Sequence, residues 1–297
     1  LALALAPVGA GAQDLDAGMA AYDRGDYSAA LQEFQPLAEQ GHAEAQFKLG
    51  VMYDDGRGVA EDDAEAVRWY RLAAEQGDAE AQVNLGVMYA DGLGVPQDYA
   101  EAARWFRPAA EQGHADAQFF LGFIYAIGRG VPQDYTEVVR WYYRPAAEQG
   151  DAAAQFNLGI LYHTGQGVPQ DYEEAMRWYR KAAEQDFAGA QYELGVMYDT
   201  GQGVPQDDAE AVRWYRLAAE QGDAEAQVNL GVMYANGRGV VDDDATAHMW
   251  FNIAAANGHA KALELRDTLA DRMSRAEITG AQRRARVCME SGYRDCE

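Results

Sequence analysis

Cysteine, serine and histidine are scarce in this chain of 297 residues. The two cysteines, Cys288 and Cys296, have no paired histidines near them, which is a poor pattern for zinc. None of the three serines lies in a Gly-x-Ser-x-Gly or Ser-x-x-Lys motif, so the motifs of a serine hydrolase and of a penicillin-acylating centre are absent. The five histidines form no metal-like pair, and the clustered aspartates lack the spacing of a calcium loop. We therefore predict no catalytic residue, no metal and no cofactor.

Positive charge is also scarce, since 24 lysines and arginines face 48 aspartates and glutamates, for a net charge of −24. An array this acidic repels phosphate backbones and anionic lipid surfaces, which argues against nucleic acid and against membranes as partners. Two explanations of the acidity stay open: it keeps the protein soluble and monomeric, or it steers a basic protein or peptide towards the surface.

Long apolar runs are absent, and no stretch reaches the roughly 18 residues expected of a spanning helix. The first residues, LALALAPVGAGA, resemble the end of a secretory signal, with an apolar segment followed by Ala10-Gly11-Ala12. We expect residues 1–13 to be a leader; an apolar leader without a role in export is the alternative. In an exported protein Cys288 and Cys296 would pair as a disulfide, whereas in the cytosol they would be free thiols.

Tryptophan, in contrast, recurs with a period. Six residues are spaced by 36, 36, 37, 36 and 36 positions, and they account for every tryptophan in the chain: Trp69, Trp105, Trp141, Trp178, Trp214 and Trp250. A fixed period of 20–50 residues predicts a solenoid, in which each unit buries its apolar face against its neighbours. We assign the tryptophans a structural role in the stack. Residues 62–90 and 207–235 are identical, so neither stretch is expected to hold a unique active site.

One unit, residues 79–113, shows two helices around a glycine-rich loop. Apolar residues at helical spacing define helix A around Leu85 and helix B around Trp105. Asp98 and Glu101 predict a capping box at the start of helix B. A glycine ends helix B in each of five units, where a left-handed residue is wanted. The glycine inside helix A, Gly86 in this unit, indicates a close approach of the two helices.

These residues resemble the Sel1-like repeat family, which is related to the tetratricopeptide repeats. The shared signature is Ala-x-Ala-Gln-x-x-Leu-Gly-x-x-Tyr, then Gly-x-Gly-Val-Pro-Gln-Asp, then Ala-x-x-Trp-Tyr-x-x-Ala-Ala-Glu-Gln-Gly. The resemblance implies an all-α fold, a right-handed α-solenoid of about seven antiparallel helix pairs. We expect one continuous array: an abbreviated repeat over 14–42, six repeats over 43–259, and capping helices with the cysteine pair over 260–297.

The third full unit departs from the others by its aromatic content. Helix A is expected to line the concave face of such a solenoid, so large apolar residues there are candidate anchors for a partner. The candidate partner-binding residues are Phe119, Phe120, Phe123, Phe156, His163 and Tyr192. Extra packing against a neighbouring helix is the alternative. If the residues bind a partner, Phe120→Asn should weaken that partner at little cost in stability.

The same unit contains the one spacing of 37 residues. One extra residue in a helix rotates the following side chains by about 100° unless a π-bulge absorbs it. We predict such a bulge near Tyr142 and Tyr143. Prolines inside helix B predict bends at Pro36, Pro108 and Pro145.

The family resemblance implies a non-enzymatic protein–protein interaction scaffold of the bacterial cell envelope, periplasmic or secreted. A protein or peptide would bind on the concave helix-A face. The alternative is an enzyme or accessory factor that binds cell-wall material, such as peptidoglycan or a β-lactam-like compound.

Overall fold

The computed structural model describes residues 14–296, which are folded into helices, turns and loops with no strand among them. These residues form two compact units that divide between Tyr142 and Tyr143. The first unit contains α1 to α8: Leu15–Asp23, Tyr27–Glu39, Ala43–Asp54, Asp63–Glu75, Ala79–Asp91, Tyr99–Glu111, Ala115–Ile127 and Tyr135–Val138. A π-helical turn, Val139–Tyr143, follows. The second unit contains α9 to α17: Arg144–Glu148, Ala152–Thr164, Tyr172–Ala183, Ala188–Thr200, Asp208–Ala219, Ala224–Asn236, Asp244–Ala256, Ala260–Ala270 and Arg275–Glu290.

The predicted all-α array of helix pairs is confirmed. In each pair, small and aliphatic residues of helix A pack on aromatic residues of helix B; Leu85 of α5 and Phe106 of α6 are both fully buried. The aromatic residues after Trp105 and Trp214 lie in the core of their own pair, whereas these tryptophans join the core of the preceding pair. Trp69 likewise joins the core cluster of Phe34 and Leu49. Each pair is thus stabilised chiefly by its neighbours along the chain, as the period predicted.

The glycine inside helix A marks a close approach, as predicted. A Cβ added to Gly86 would lie 2.6 Å from Cε1 of Phe106, and one added to Gly50 would lie 2.5 Å from Cδ1 of Tyr70. Helix B also ends as predicted, since Gly77 and the equivalent glycines have positive φ values near 90°. These positions require glycine for two different reasons, space in helix A and backbone conformation after helix B.

Of the two hydrogen bonds in the capping box predicted for helix B, only the one accepted by the aspartate side chain forms. Oδ1 of Asp98 accepts hydrogen bonds from the backbone N–H groups of Ala100 and Glu101, at 2.9 and 3.1 Å. However, the N–H of Asp98 donates to the carbonyl of Tyr89, at 2.8 Å, which leaves Glu101 nothing to cap. Glu101 instead pairs with Arg104 one turn later, at 3.3 Å. The reciprocal capping box does form at the start of α17, between Ser274 and Glu277.

A ladder of glutamine side chains links successive pairs, a role that the sequence analysis did not assign. Nε2 of Gln82, a buried residue of α5, donates to the carbonyl of Ala74 at 3.1 Å, which joins helix A to the preceding helix B. Gln112, which follows α6, donates to Oε1 of Gln82 at 3.1 Å. The same link recurs from Gln76 to Gln46, Gln185 to Gln155, Gln221 to Gln191 and Asn257 to Gln227. Burial of these amides is therefore compensated by hydrogen bonds.

The π turn at Val139–Tyr143 confirms the bulge predicted from the 37-residue spacing. Pro36 and Pro108 lie inside the continuous helices α2 and α6, and Pro145 lies in the first turn of α9. Bends of the helix axes at these prolines stay predictions. In the second unit, Cys288 at the end of α17 is joined by a disulfide to Cys296.

Candidate functional site

The predicted partner-binding residues lie in different units. Phe119, Phe120 and Phe123 belong to α7 of the first unit, whereas the other three belong to α10 and α12 of the second: Phe156, His163 and Tyr192. The structure therefore separates the prediction into an α7 group and a second-unit group, which differ in how much of each side chain reaches solvent.

On α7, three large apolar side chains are exposed in a row. Phe119 is 46% exposed, Phe123 is 48% exposed and Ile127 is 40% exposed, and they are four residues apart on one helix face. We call these three residues the α7 stripe. Ile127 is the last residue of α7. The residue equivalent to Phe119 in α5, Val83, is only 6% exposed, so the exposure is particular to α7.

The π turn changes which atoms of the residue after tryptophan lie against the helix-A glycine. In regular pairs the ring of the residue after tryptophan covers the helix-A glycine, as the Tyr70 ring covers Gly50. At Gly122 the atom nearest to an added Cβ is instead Cβ of Tyr142, at 2.5 Å. The Tyr142 ring is displaced along the chain and meets the Phe119 ring edge-on, with 5.4 Å between centroids. The equivalent residues Phe47 and Phe156 contact Tyr70 and Tyr179 at 6.0 and 5.9 Å, so this ring contact is kept despite the π turn.

Phe120 has a different role from its neighbours on α7. Its ring is half-buried and stacks on the buried ring of Phe106, with centroids 5.2 Å apart. Phe120 therefore contributes to the core cluster of this pair, and Phe120→Asn would remove packing. The expectation that this substitution costs little stability does not fit the structure. Phe119 and Phe123 are the better positions for testing a surface role.

A cavity of about 320 Å³ opens beside the α7 stripe, between the C-terminal end of α5, helix α6 and α7. Its wall is apolar apart from one exposed carboxylate and one tyrosine, and it consists of Ala90, Asp91, Tyr99, Phe106, Phe119, Phe120, Phe123 and Ile124. An apolar cavity rimmed by exposed aromatic rings can take a large apolar side chain.

In the second unit, Phe156 and His163 are half-buried and contact neighbouring aromatic rings. The Phe156 ring lies 5.0 Å from that of Phe187 and 5.9 Å from that of Tyr179. Nδ1 of His163 lies 3.4 Å from the hydroxyl of Tyr179, and its ring meets Tyr172 edge-on at 5.3 Å. Both residues therefore contribute to packing between helices, and their binding of a partner stays a prediction.

Tyr192 and its neighbour Glu193 are half-buried on α12. Burial raises the pKa of the Tyr192 hydroxyl, and the carboxylates of Glu225 and Glu193 raise it further. Burial also raises the pKa of the Glu193 carboxyl, with a smaller contribution from Asp223. Ionisation of the Glu193 carboxyl therefore costs stability. The equivalent residues Asn84, Asn157 and Asn229 are neutral and avoid this cost.

The residues given structural roles lie as follows. Trp105 is half-buried. The other five tryptophans are buried, at 3–8% exposure: Trp69, Trp141, Trp178, Trp214 and Trp250. Cys288 is fully buried, and Cys296 is 8% exposed.

Within residues 14–296, no three side chains of the metal-binding types come together to hold a metal ion. Among those same residues, no helix has the length and apolar character needed to cross a membrane.

Comparison with known proteins gives one family. The Sel1 repeat family model matches six consecutive segments, residues 43–78, 79–114, 115–151, 152–187, 188–223 and 224–259. Over 53 residues the chain is 40% identical to an exopolysaccharide production negative regulator of Rhizobium leguminosarum bv. viciae. That match covers 18% of this chain and 20% of the regulator, so the chain spans about a fifth of this relative.

Two similar solved structures carry the same repeat. A protective antigen of uropathogenic Escherichia coli strains, displaying an SLR fold, is 32% identical, with 94% of this chain and 69% of that chain covered and a TM-score of 0.46. A Sel1 repeat protein from Oxalobacter formigenes is 34% identical, with 82% of this chain and 97% of that chain covered and a TM-score of 0.48.

Proposed function

Because this chain belongs to the Sel1 repeat family, whose members are typically protein–protein interaction scaffolds, we propose that it is a non-enzymatic adaptor. Its partner is a protein or peptide that binds the first unit at the α7 stripe. The observation that carries the proposal is the exposed row of Phe119, Phe123 and Ile127 beside an apolar cavity.

The physical argument is the cost of exposing this stripe. Each of its three side chains leaves 40% or more of its surface in water, whereas the equivalent positions hold less exposed apolar residues, such as Phe47 and Val87, or polar ones, such as Asp91. Exposed apolar patches on soluble proteins often mark interaction sites, and aromatic anchors beside a pocket dominate the affinity of peptide interfaces. Apolar anchors spaced by four residues on a helix also suit a partner helix laid alongside.

We propose the bacterial cell envelope as the place of action. The leader-like residues 1–12 support export, although they lie outside the described residues. The disulfide between Cys288 and Cys296 supports an oxidising compartment such as the periplasm. The similar regulator is named for exopolysaccharide production, which supports a regulatory partner at the cell surface.

Capture from native envelope material tests the binding proposal. Tagged wild-type protein and the double variant Phe119→Asn/Phe123→Asn are crosslinked in the bacterium of origin and compared by mass spectrometry. The matched control is Leu72→Asn/Leu217→Asn, which removes two side chains of similar exposure, 36% and 38%, from helix-B surfaces. We expect the double variant to lose a partner that wild type and control both retain, with its circular dichroism spectrum unchanged.

Two results would contradict the proposal. One is equal capture by wild type and the Phe119/Phe123 variant. The other is turnover of peptidoglycan fragments or β-lactams by the purified protein, which would support an enzyme acting on cell-wall material instead.

A further inference from the structure

We propose that the cavity between α5 and α7 is a socket for one leucine or phenylalanine side chain of a partner segment that carries basic residues beside it. The inference rests on the proposed function, and it adds the chemistry of the partner and the atoms that receive it. Four observations support it. In regular helix pairs a tyrosine and an aspartate of different helices form a hydrogen bond, and this bond is missing at the cavity. A second cavity occurs where the bond is missing again, and the first cavity has an exposed carboxylate in its wall.

In a regular helix pair, a hydrogen bond closes the surface above the helix-A glycine. The hydroxyl of Tyr70 donates to Oδ2 of Asp54 at 3.0 Å, and the hydroxyl of Tyr215 donates to Oδ2 of Asp199 at 3.2 Å. In each case the carboxylate comes from the last turns of helix A and the tyrosine follows the tryptophan of helix B. The pair fills the space between two neighbouring A helices.

At α5 and α6 this pair is replaced by Ala90 and Phe106. The exchange removes both the hydroxyl and the carboxylate, so no hydrogen bond can close the surface here. Phe106 itself remains fully buried, and its ring forms the floor of the cavity. The open space is therefore lined by carbon where regular pairs are polar.

The same exchange recurs once in the second unit, with the same result. Ala235 and Phe251 occupy the equivalent positions of α14 and α15, and a cavity of about 300 Å³ lies above them. Its wall uses positions equivalent to those of the first cavity, including Leu265 in place of Phe120 and Leu269 in place of Ile124. The recurrence indicates that the alanine–phenylalanine exchange, rather than a local accident of packing, creates the cavity.

The rims of the two cavities differ, and the difference selects the first as the socket. Arg272 lies at the rim of the second cavity, where it donates to the carbonyl of Ala235 at 3.0 Å and pairs with Asp244 at 2.5 Å. The equivalent position in the first unit is Ile127 of the α7 stripe. At this position the first cavity thus has an exposed apolar side chain in place of an arginine, and the guanidinium of Arg129 lies over the ring of Tyr99, in the cavity wall, at 5.7 Å.

The negative charge at the cavity and of the whole chain indicates that basic residues flank the inserted side chain in the partner. Asp91 lies exposed in the wall of the first cavity and forms no salt bridge with any residue of the described range 14–296. The chain as a whole has a net charge of −24, so a basic segment is attracted and an acidic one is repelled. A cavity of about 320 Å³ is near the lower limit for ligand sites, which suits one inserted side chain.

The test restores the regular pair at the socket. Ala90→Asp/Phe106→Tyr copies the pair that Asp54 and Tyr70 form, so it closes the cavity with residues that this fold already accommodates. The matched control, Ala235→Asp/Phe251→Tyr, closes the second cavity. Both variants are checked for an unchanged circular dichroism spectrum and a thermal midpoint no lower than that of wild type. The stripe residues Phe119 and Phe123 are untouched in both.

The probes are synthetic fluorescein-labelled helical peptides of lysine and alanine with a single central leucine, and the same peptides with alanine at the centre. Binding to the full chain is measured by fluorescence anisotropy at fixed ionic strength. One apolar side chain in a pocket changes affinity by about 10–200-fold, so we expect wild type and control to prefer the leucine peptide by at least about tenfold. The Ala90→Asp/Phe106→Tyr variant should show no preference. A glutamate-for-lysine peptide should bind none of the proteins.

Other results would overturn the socket and can be told apart from failure of the proposed function. An equal leucine preference in wild type and the Ala90→Asp/Phe106→Tyr variant would show that the side chain enters elsewhere. If that variant also captures the native partner normally, while Phe119→Asn/Phe123→Asn does not, the socket is wrong and the stripe remains the binding site. A leucine preference that only the socket variant loses, with no native partner lost by the stripe variant, would keep the socket and remove the proposed function.

Discussion

Replacing Leu93 by arginine should stabilise the first unit, because an almost identical site in the second unit shows what the arginine would do. Residues 62–90 and 207–235 have the same sequence, and position 93 corresponds to Arg238. Arg238 pairs with Asp208 at 2.6 Å and with Asp199 of the preceding helix A. Leu93 is 41% exposed and leaves the equivalent carboxylates, Asp54 and Asp63, without that arginine.

The magnitude follows from the exposure of the existing bridge. The side chains of Arg238, Asp199 and Asp208 are 36%, 22% and 30% exposed, so solvent screens both pairs. Exposed ion pairs contribute about 0.2–1 kcal/mol each, so two of them give a gain of about 0.4–2 kcal/mol for Leu93→Arg. A change of this size corresponds to roughly 1–8 °C in the thermal midpoint.

The pH dependence gives the variant a distinct signature. Burial raises the pKa of the Asp54 carboxyl, so its ionisation lowers the stability of the native state as the pH rises through that pKa. An arginine at position 93 favours the ionised carboxylate and therefore opposes this rise in the pKa of Asp54. The gain in stability should therefore be small at a pH below about 4, where Asp is protonated, and complete near neutrality.

Thermal and urea unfolding of Leu93→Arg and wild type, measured at several pH values, checks the prediction. Arg238→Leu is the matched control and should lose a similar free energy of unfolding. Leu93→Lys, which lacks the forked guanidinium, should gain less than the arginine variant. A gain that is independent of pH, or no gain at all, would refute the reasoning that Asp54 and Asp63 accept the arginine.

Three further predictions follow from packing and from buried charges. Gly86→Ala should lower the free energy of unfolding by about 1–2 kcal/mol, because its Cβ would lie 2.6 Å from the buried Phe106 ring and overpacking outweighs the gain in helix propensity. The control Gly280→Ala, with nothing within 4 Å, should instead stabilise α17 in the same urea titration. Glu193→Asn should raise the thermal midpoint at pH 7 and not at pH 4, because burial raises the pKa of the Glu193 carboxyl and its ionisation costs stability above that pKa; equal midpoints at pH 7 would contradict this. His248 is 1% exposed, and burial lowers its pKa, so stability should fall as the pH drops below the unfolded value of about 6.5; His248→Gln should lack that component when the two unfolding profiles are compared, and parallel profiles would contradict it.

Much of the fold could be predicted from the sequence because its signals are local and repeated. The period of tryptophan, the helical spacing around Leu85 and the glycines after helix B each depend on residues within one or two turns. Even the π turn followed from a single count, the spacing of 37 residues between Trp141 and Trp178. Six repeats of each signal also remove the ambiguity that a single helix would leave.

The candidate site was harder to predict because its signals are pairs of residues on different helices. His163 was predicted to bind a partner from its own position, whereas its Nδ1 lies 3.4 Å from the hydroxyl of Tyr179, 16 positions later. The pairing of Asp54 with Tyr70 has the same separation, so comparing the two positions together would have revealed both the filled sites and the alanine–phenylalanine exchange. The helix-capping glutamates were misassigned for a similar reason, because a tyrosine carbonyl from the preceding helix already occupies the N–H that they were expected to cap.

A photocrosslinker at position 123 tests the central claim, that a partner binds at the α7 stripe. Phe123 is 48% exposed, so p-benzoylphenylalanine can replace it and react with whatever lies against α7 in living cells. The same amino acid at Leu72, on helix B of the first unit, is the control. We predict a discrete adduct from position 123 that is absent from position 72. Its partner segment should be basic and should have a large apolar residue at the crosslinked site. No adduct at position 123, or the same adducts from both positions, would contradict it.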